Sequence, residues 1–314
     1  MSAHLQRHYR SPFPALNVNR RDEPVATDTV YADTPDIEHG FTAAQFFVGT
    51  RSLVSDIYGV KTDAQFLQTL QDNVRKRGAM SKLVSDRAQA QVSKVVKDYL
   101  RWLMIDDWQS EPHRQNQNPA ERRYQDIKRL ANKILDRTGA PPSLWLLALR
   151  YASFVYNHTA VESLGWKTPM FTLTGITPDI SVLLRFAFYE KVFYKTEEPA
   201  FPSDSPESLG YVVGIAEHVG HAMTYKILNP ETNTILFRSE IRSAESATDP
   251  NKHLAPSDGE SQAPPRIIKS RSDDFKSIIY SSDDEASDDP DALVDHKDLI
   301  GRTFLLEPTE EGHV

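Results

Sequence analysis

The chain has no cysteine in 314 residues. That absence excludes disulfides, thiolate nucleophiles, thiolate zinc sites and iron–sulfur clusters, so any bound metal must be held by oxygen or imidazole. Long apolar runs are also missing. The longest, Ser143 to Tyr156, covers 14 residues and contains Arg150, whereas a membrane-spanning helix needs about 20. The first ten residues, with His4, Arg7, His8 and Arg10, lack the apolar centre of a secretory signal. An intracellular protein is expected.

Charge is present but unevenly placed. Residues 1–250 sum to zero and residues 251–314 carry the whole net charge of −8, while residues 61–150 count to +7. A basic block flanked by acidic sequence keeps a polyanionic partner open despite the low overall pI.

The pattern along the chain predicts a mixed α/β domain followed by a β domain. Residues 1–22 read as an extended lead-in. Three strands follow, at Pro24 to Tyr31, Phe41 to Val48 and Ser52 to Tyr58. Next, Asp63 is positioned to cap a helix with Phe66, Leu67, Leu70 and Val74 at helical spacing, stopped by Gly78. Met80 to Val84 suits a short buried strand. Val92, Val95, Val96, Tyr99, Leu100 and Leu103 give the cleanest amphipathic helix, and Leu103 to Trp108 suits a fifth strand. The order β-β-β-α-β-α-β-α combines an antiparallel meander with helical crossovers.

A helix opened by Asn118-Pro119 carries Ile127, Leu130, Ala131, Ile134 and Leu135 on one face. The following segment, to Asn157, is apolar nearly all round, as a helix between layers would be. The four tryptophans, Trp102, Trp108, Trp145 and Trp166, are expected in the core. The first domain should span residues 23–166.

Residues 167–246 read as a short helix from Thr168-Pro169 to Gly175, then strands at Leu183 to Tyr194, Gly210 to Ile215, Met223 to Leu228 and Thr234 to Arg238. Residues 247–294 lose aromatics and culminate in the acidic run from Ser281 to Asp289, the composition of a disordered linker. Residues 295–314 turn apolar again, like the start of a further segment.

The plausible reactive groups are carboxylates. Asp28 lies within the first strand, Asp86 at the end of the fourth, and Glu121 in the first turn of the helix opened by Asn118-Pro119. In a sheet so connected, the first and fourth strands can be neighbours, and a crossing helix can lay Glu121 beside them. Three such acids resist ionising together unless a divalent cation neutralises them. Oxygen ligands suit Mg²⁺ or Mn²⁺, and two ions about 3.5–4 Å apart can clamp the attacking and leaving oxygens of a phosphodiester. Gln125 and Lys128 fall within about 40° of Glu121 on a helical wheel, so with Arg122 they are candidates for contact with a DNA backbone.

Each acid also has an ordinary reading. Glu121 stands at capping-box spacing from Asn118, Asp86 could be a turn acid, and Asp28 a half-exposed strand residue with Asp33 its nearest rival. His218 and His221, in a Gly-containing strand or turn, do not share a face and are not expected to bind metal. His113 reads as a loop residue.

Six segments carry a family resemblance. They are Val25-Ala26-Thr27-Asp28-Thr29-Val30-Tyr31, Leu83-Val84-Ser85-Asp86-Arg87, Asn116-Gln117-Asn118-Pro119-Ala120-Glu121-Arg122-Arg123, Ser143-Leu144-Trp145-Leu146-Leu147-Ala148-Leu149-Arg150-Tyr151, Leu164-Gly165-Trp166-Lys167-Thr168-Pro169 and Leu173-Thr174-Gly175-Ile176-Thr177-Pro178-Asp179-Ile180. In order and spacing they resemble the integrase region of copia-type LTR retrotransposon polyproteins, in the form found in diatom-like copia elements.

The resemblance implies an RNase H-like mixed five-stranded sheet with flanking helices, followed by a small SH3-like all-β domain and an acidic tail. It implies a D, D, E triad on Asp28, Asp86 and Glu121. Its chemistry would be Mg²⁺-dependent trimming of element DNA ends and their transfer into target DNA. It also implies a homo-oligomer acting in the nucleus after a cytoplasmic particle stage, and a reverse transcriptase segment downstream. The family's N-terminal His/Cys zinc module cannot exist without cysteine. Two other readings stay open: a catalytically inactive nucleic-acid-binding relic or scaffold of the same fold, and a cellular RNase H-like nuclease.

Overall fold

The computed structural model describes residues 17–85, 93–109, 119–196, 205–246, 250–251 and 254. Its first unit is a mixed sheet. Strands β1 (Pro24–Tyr31), β2 (Ala43–Gly49) and β3 (Ser55–Val60) form the expected antiparallel meander. Helix α1 (Phe66–Arg77) then crosses to β4 (Lys82–Ser85), and α2 (Lys94–Trp102) crosses to β5 (Asp106–Gln109). Both crossovers are parallel, β1 to β4 and β4 to β5, so the order is β3-β2-β1-β4-β5 and β1 is central. With its flanking helices this is the mixed five-stranded sheet expected from the sequence.

Side chains alternate across a strand, which divides the core in two. Val25, Phe47 and Leu83 face α1 and α2, meeting Leu70, Val96 and Leu100. Ala26, Val30, Phe46 and Val84 face the opposite way, toward Ala120, Ile127 and Ala131 of α3 (Pro119–Thr138) and toward Leu146 of α4 (Trp145–His158).

Four details correct the sequence reading. Asp63 does not cap the first helix, whose N-cap is Gln65. Gln65 Oε1 reaches back to accept from Lys61 N (2.7 Å) and Thr62 N (3.4 Å), and Asp63 opens a 3₁₀ turn instead. On α2 the buried positions are Val96 and Leu100, while Val95 is 62% exposed; a helix of nine residues lying on a sheet covers only a narrow stripe. Trp102, Trp108 and Trp166 are exposed rather than core residues, and Trp145 is only partly buried. The predicted lead-in is docked at its end, where Ala79 N donates to Asn19 O (2.7 Å) and Arg21 N to Ala79 O (2.9 Å). Gly78 allows this approach: its φ is +93°, and a Cβ there would stand 2.8 Å from Asn19 O.

The second unit follows α5 (Pro169–Thr174) and α6 (Ser181–Arg185). Strands β6 (Lys191–Lys195), β7 (Glu207–Ile215), β8 (Tyr225–Asn229), β9 (Thr234–Arg238) and β10 (Ile241–Ser243) form an antiparallel sheet, order β10-β6-β7-β8-β9. The strand expected from Leu183 divides. Asp179 Oδ1 accepts from Ser181 N (2.9 Å) at the start of α6, Val182 and Leu183 are buried from that helix, and the strand begins only at Lys191.

Helix α4 lies between the two sheets, as its all-round apolarity predicted. Leu146, Leu147 and Tyr151 belong to one continuous core with Phe188, Val213 and Ile227, and the Tyr151 and Phe188 rings are 5.3 Å apart. Among the described residues no helix is long and apolar enough to cross a membrane. The acidic run and nearly all of residues 247–314 lie outside the described residues.

Candidate active site

Asp28 pairs with Phe46 across the central strands. It therefore shares the face of Ala26 and Val30, the face covered by α3. A cross-strand polar network holds the backbone at this point. Gln45 Nε2 donates to Asp28 O (2.9 Å) and to Thr27 Oγ1 (2.5 Å), Gln45 Oε1 accepts from Thr29 Oγ1 (2.8 Å), and Thr27 Oγ1 donates to Phe46 O (2.9 Å). A buried amide with both ends satisfied fixes register as well as position. The Asp28 carboxylate is partly exposed and accepts from Thr29 N at 2.8 Å.

Helix α3 brings the second acid. Ala120, Ile127 and Ala131 are buried against the sheet, which leaves the neighbouring edge, Glu121, Tyr124, Gln125 and Lys128, to follow at i, i+3, i+4 and i+7. Glu121 is partly exposed, and its carboxylate has no hydrogen-bond or ion-pair partner among the described residues. Gln125, Lys128 and Arg122 are exposed. Lys128 Nζ stands 5.9 Å from the centroid of the Tyr124 ring, which in turn lies 6.0 Å from that of Phe46. Burial, then the charge on Asp28, push the Tyr124 phenol above its usual range.

Tyr124 and Gln45 are the residues sequence reasoning missed. Tyr124 had a signal, three residues after Glu121 on the same helix edge; Gln45, a lone amide in an apolar strand, had almost none. Arg123 points elsewhere. Its guanidinium lies 4.6 Å from the Tyr156 ring centroid, with Nε and Nη2 buried and without a hydrogen-bond partner among the described residues, and burial lowers its pKa.

Asp86 lies outside the described residues, directly after Ser85 at the end of β4; Asn118 and His113 lie outside them too. Asp33 is exposed on the bend after β1. His218 is exposed beside Glu217 (4.0 Å), and His221 Nδ1 accepts from Met223 N (3.1 Å). Among the described residues no three His, Asp or Glu side chains are grouped to hold a metal ion, and Asp86 is not one of those residues. The described acids, Asp28 and Glu121, offer hard carboxylate oxygens, the donor type that Mg²⁺ and Mn²⁺ take.

No protein-family model and no curated protein matches the chain. Among solved structures, the simian T-cell lymphotropic virus intasome in complex with the PP2A regulatory subunit B56 gamma is similar at 16% identity over 72% of this chain and 83% of that one, TM-score 0.39. The HTLV-2 integrase catalytic core domain in complex with magnesium is similar in its dimeric form at 17% identity, over 49% of this chain and 96% of that one, TM-score 0.38. Its trimeric form is similar at 17%, over 48% and 95%, TM-score 0.39. No residue role transfers at these values.

Proposed function

We propose that this chain is the integrase region of a copia-type retrotransposon polyprotein, with Asp28, Asp86 and Glu121 as its catalytic carboxylates. The observation that carries the reading is the placement of Asp28. It stands on the central strand of an RNase H-like sheet, on the face covered by the helix whose first turn holds Glu121.

The reaction is an in-line displacement at phosphorus, in which water or a DNA 3′-hydroxyl attacks and a 3′-oxygen leaves. Asp28, Asp86 and Glu121 would hold Mg²⁺ or Mn²⁺, which when bound activates the attacking oxygen and stabilises the departing one. Gln45 fixes the backbone that presents Asp28. Lys128, Gln125 and Arg122 hold the DNA backbone, supplying salt-sensitive affinity and little sequence choice. A homo-oligomer joining two DNA ends, action in the nucleus and a downstream reverse transcriptase segment belong to the same proposal.

The test uses labelled duplex ends with Mg²⁺ or Mn²⁺. Wild type should trim and join them, and Asp28→Asn and Glu121→Gln should each reduce both steps to background while still binding DNA. Absence of trimming and joining by wild type with either metal, with DNA binding intact, would replace this reading by the inactive nucleic-acid-binding relic, which the exposed Arg122, Lys128 and Arg129 would still serve.

A further inference from the structure

A cavity of about 340 Å³ lies between the two sheets, with α4 along one wall. Its charges do not balance. Lys76, Arg150 and Lys226 line it together with the carboxylates of Asp56 and Glu217, while Arg77, Glu38 and Asp36 stand behind the lining. Asp56 takes both Arg77 (2.9 Å from Nε and from Nη2) and Lys76 (2.9 Å), and Lys76 also reaches Glu217 (2.5 Å). Glu38 meets Arg150 at only 3.4 Å, while Arg150 Nε donates to Ile57 O at 3.2 Å. Of the side chains that line the cavity, three cations, Lys76, Arg150 and Lys226, thus face two carboxylates, Asp56 and Glu217. Lys226 Nζ has no carboxylate within ion-pair distance among the described residues.

Half-buried on β8, Lys226 has its ammonium pushed below the usual range: burial is the largest cause, Arg150 and Lys76 act in the same direction, and the charges of Glu38 and Glu217 offset them only in part. A cation kept from water without a partner is unfavourable, and an incoming anion removes that penalty. The rest of the lining includes Leu147, Phe154, Val213 and Phe237. A cavity of this volume with apolar walls and a few convergent polar groups is of the kind that holds small molecules.

We propose that this cavity binds a small organic anion, an aromatic or apolar body bearing one phosphate or carboxylate, with Lys226 and Arg150 on the anionic group and the α4 and β9 side chains against the body. Such a ligand touches both sheets and ties them together. This inference does not depend on the nucleic-acid reading above.

Calorimetry on the full chain tests it with adenosine monophosphate, benzoate and inorganic phosphate. Either adenosine monophosphate or benzoate should bind and raise the thermal midpoint. Lys226→Met should weaken that binding at least tenfold, with the unliganded midpoint unchanged or higher, whereas Lys226→Arg and Lys128→Ala should retain it. The proposal is overturned if neither organic anion binds at millimolar concentration, if inorganic phosphate binds as tightly as both, or if Lys226→Met binds like wild type.

Discussion

Asp28 and Tyr124, one on the central strand and one on the helix above it, interact electrostatically: after burial, the Asp28 charge is what lifts the Tyr124 phenol. Asp28→Asn should therefore lower the Tyr124 pKa toward the ordinary value of about 10. An NMR titration of ring-labelled tyrosine, with Tyr124→Phe to assign the signal, measures it. An unmoved signal would remove the link between Asp28 and α3.

Lys128 sits on the exposed edge that follows Glu121. Lys128→Ala should weaken DNA binding by similar factors across sequences and reduce the slope of log affinity against log salt by about 1, the release of one phosphate contact. Binding titrations at several salt concentrations would show it. An unchanged slope would take Lys128 off the DNA.

Asp56 is buried between Arg77 and Lys76. Burial alone would raise its carboxyl, but the two cations outweigh it and hold the group below the usual range. Asp56→Ala should cost about 3 kcal/mol, the lower end for breaking a buried ion pair, because Lys76 keeps Glu217 and is partly exposed. The pair's stabilisation is complete above the unfolded Asp value of about 3.9 and is lost as pH falls through the depressed folded value. In urea unfolding, wild type and Asp56→Asn should accordingly converge at low pH.

His158 closes α4 with its ring stacked on Phe154 at 4.0 Å and Nδ1 donating to Phe154 O at 2.7 Å. Burial holds its pKa below the usual range. The unfolded chain takes up this proton first, so the contribution is whole above about pH 6.5 and declines as pH falls through the lower folded value. His158→Phe keeps the stacking and removes the titration. It should give a shallower loss of stability between pH 7 and 5, measured by urea midpoints.

The regular parts of the fold were legible where burial imposes a period. Phe46 to Val48 in β2 and Leu70 and Val74 in α1 are buried as their spacing predicted. The reading failed where one apolar residue serves two geometries. Val182, Leu183, Phe186 and Phe188 supply the core beneath the second sheet, yet they come from a short helix and a turn, with Tyr189 at φ +63°. Three residues of β10 were too few to show any pattern. Trp102, 68% exposed, shows that hydrophobic size alone does not settle burial. For the candidate site, Asp28 and Glu121 were legible as acids at special positions, because a charged side chain inside a strand or in a helix's first turn stands out. The polar support behind them was not: Gln45 acquires its role only when β1 and β2 pair.

The outer strand β5 carries Asp106 and Asp107 side by side, both exposed. A second copy seeking to extend the sheet in register through that border would bring aspartates against each other over half of the strand. The mixed sheet is therefore guarded on that side against fibre-like growth.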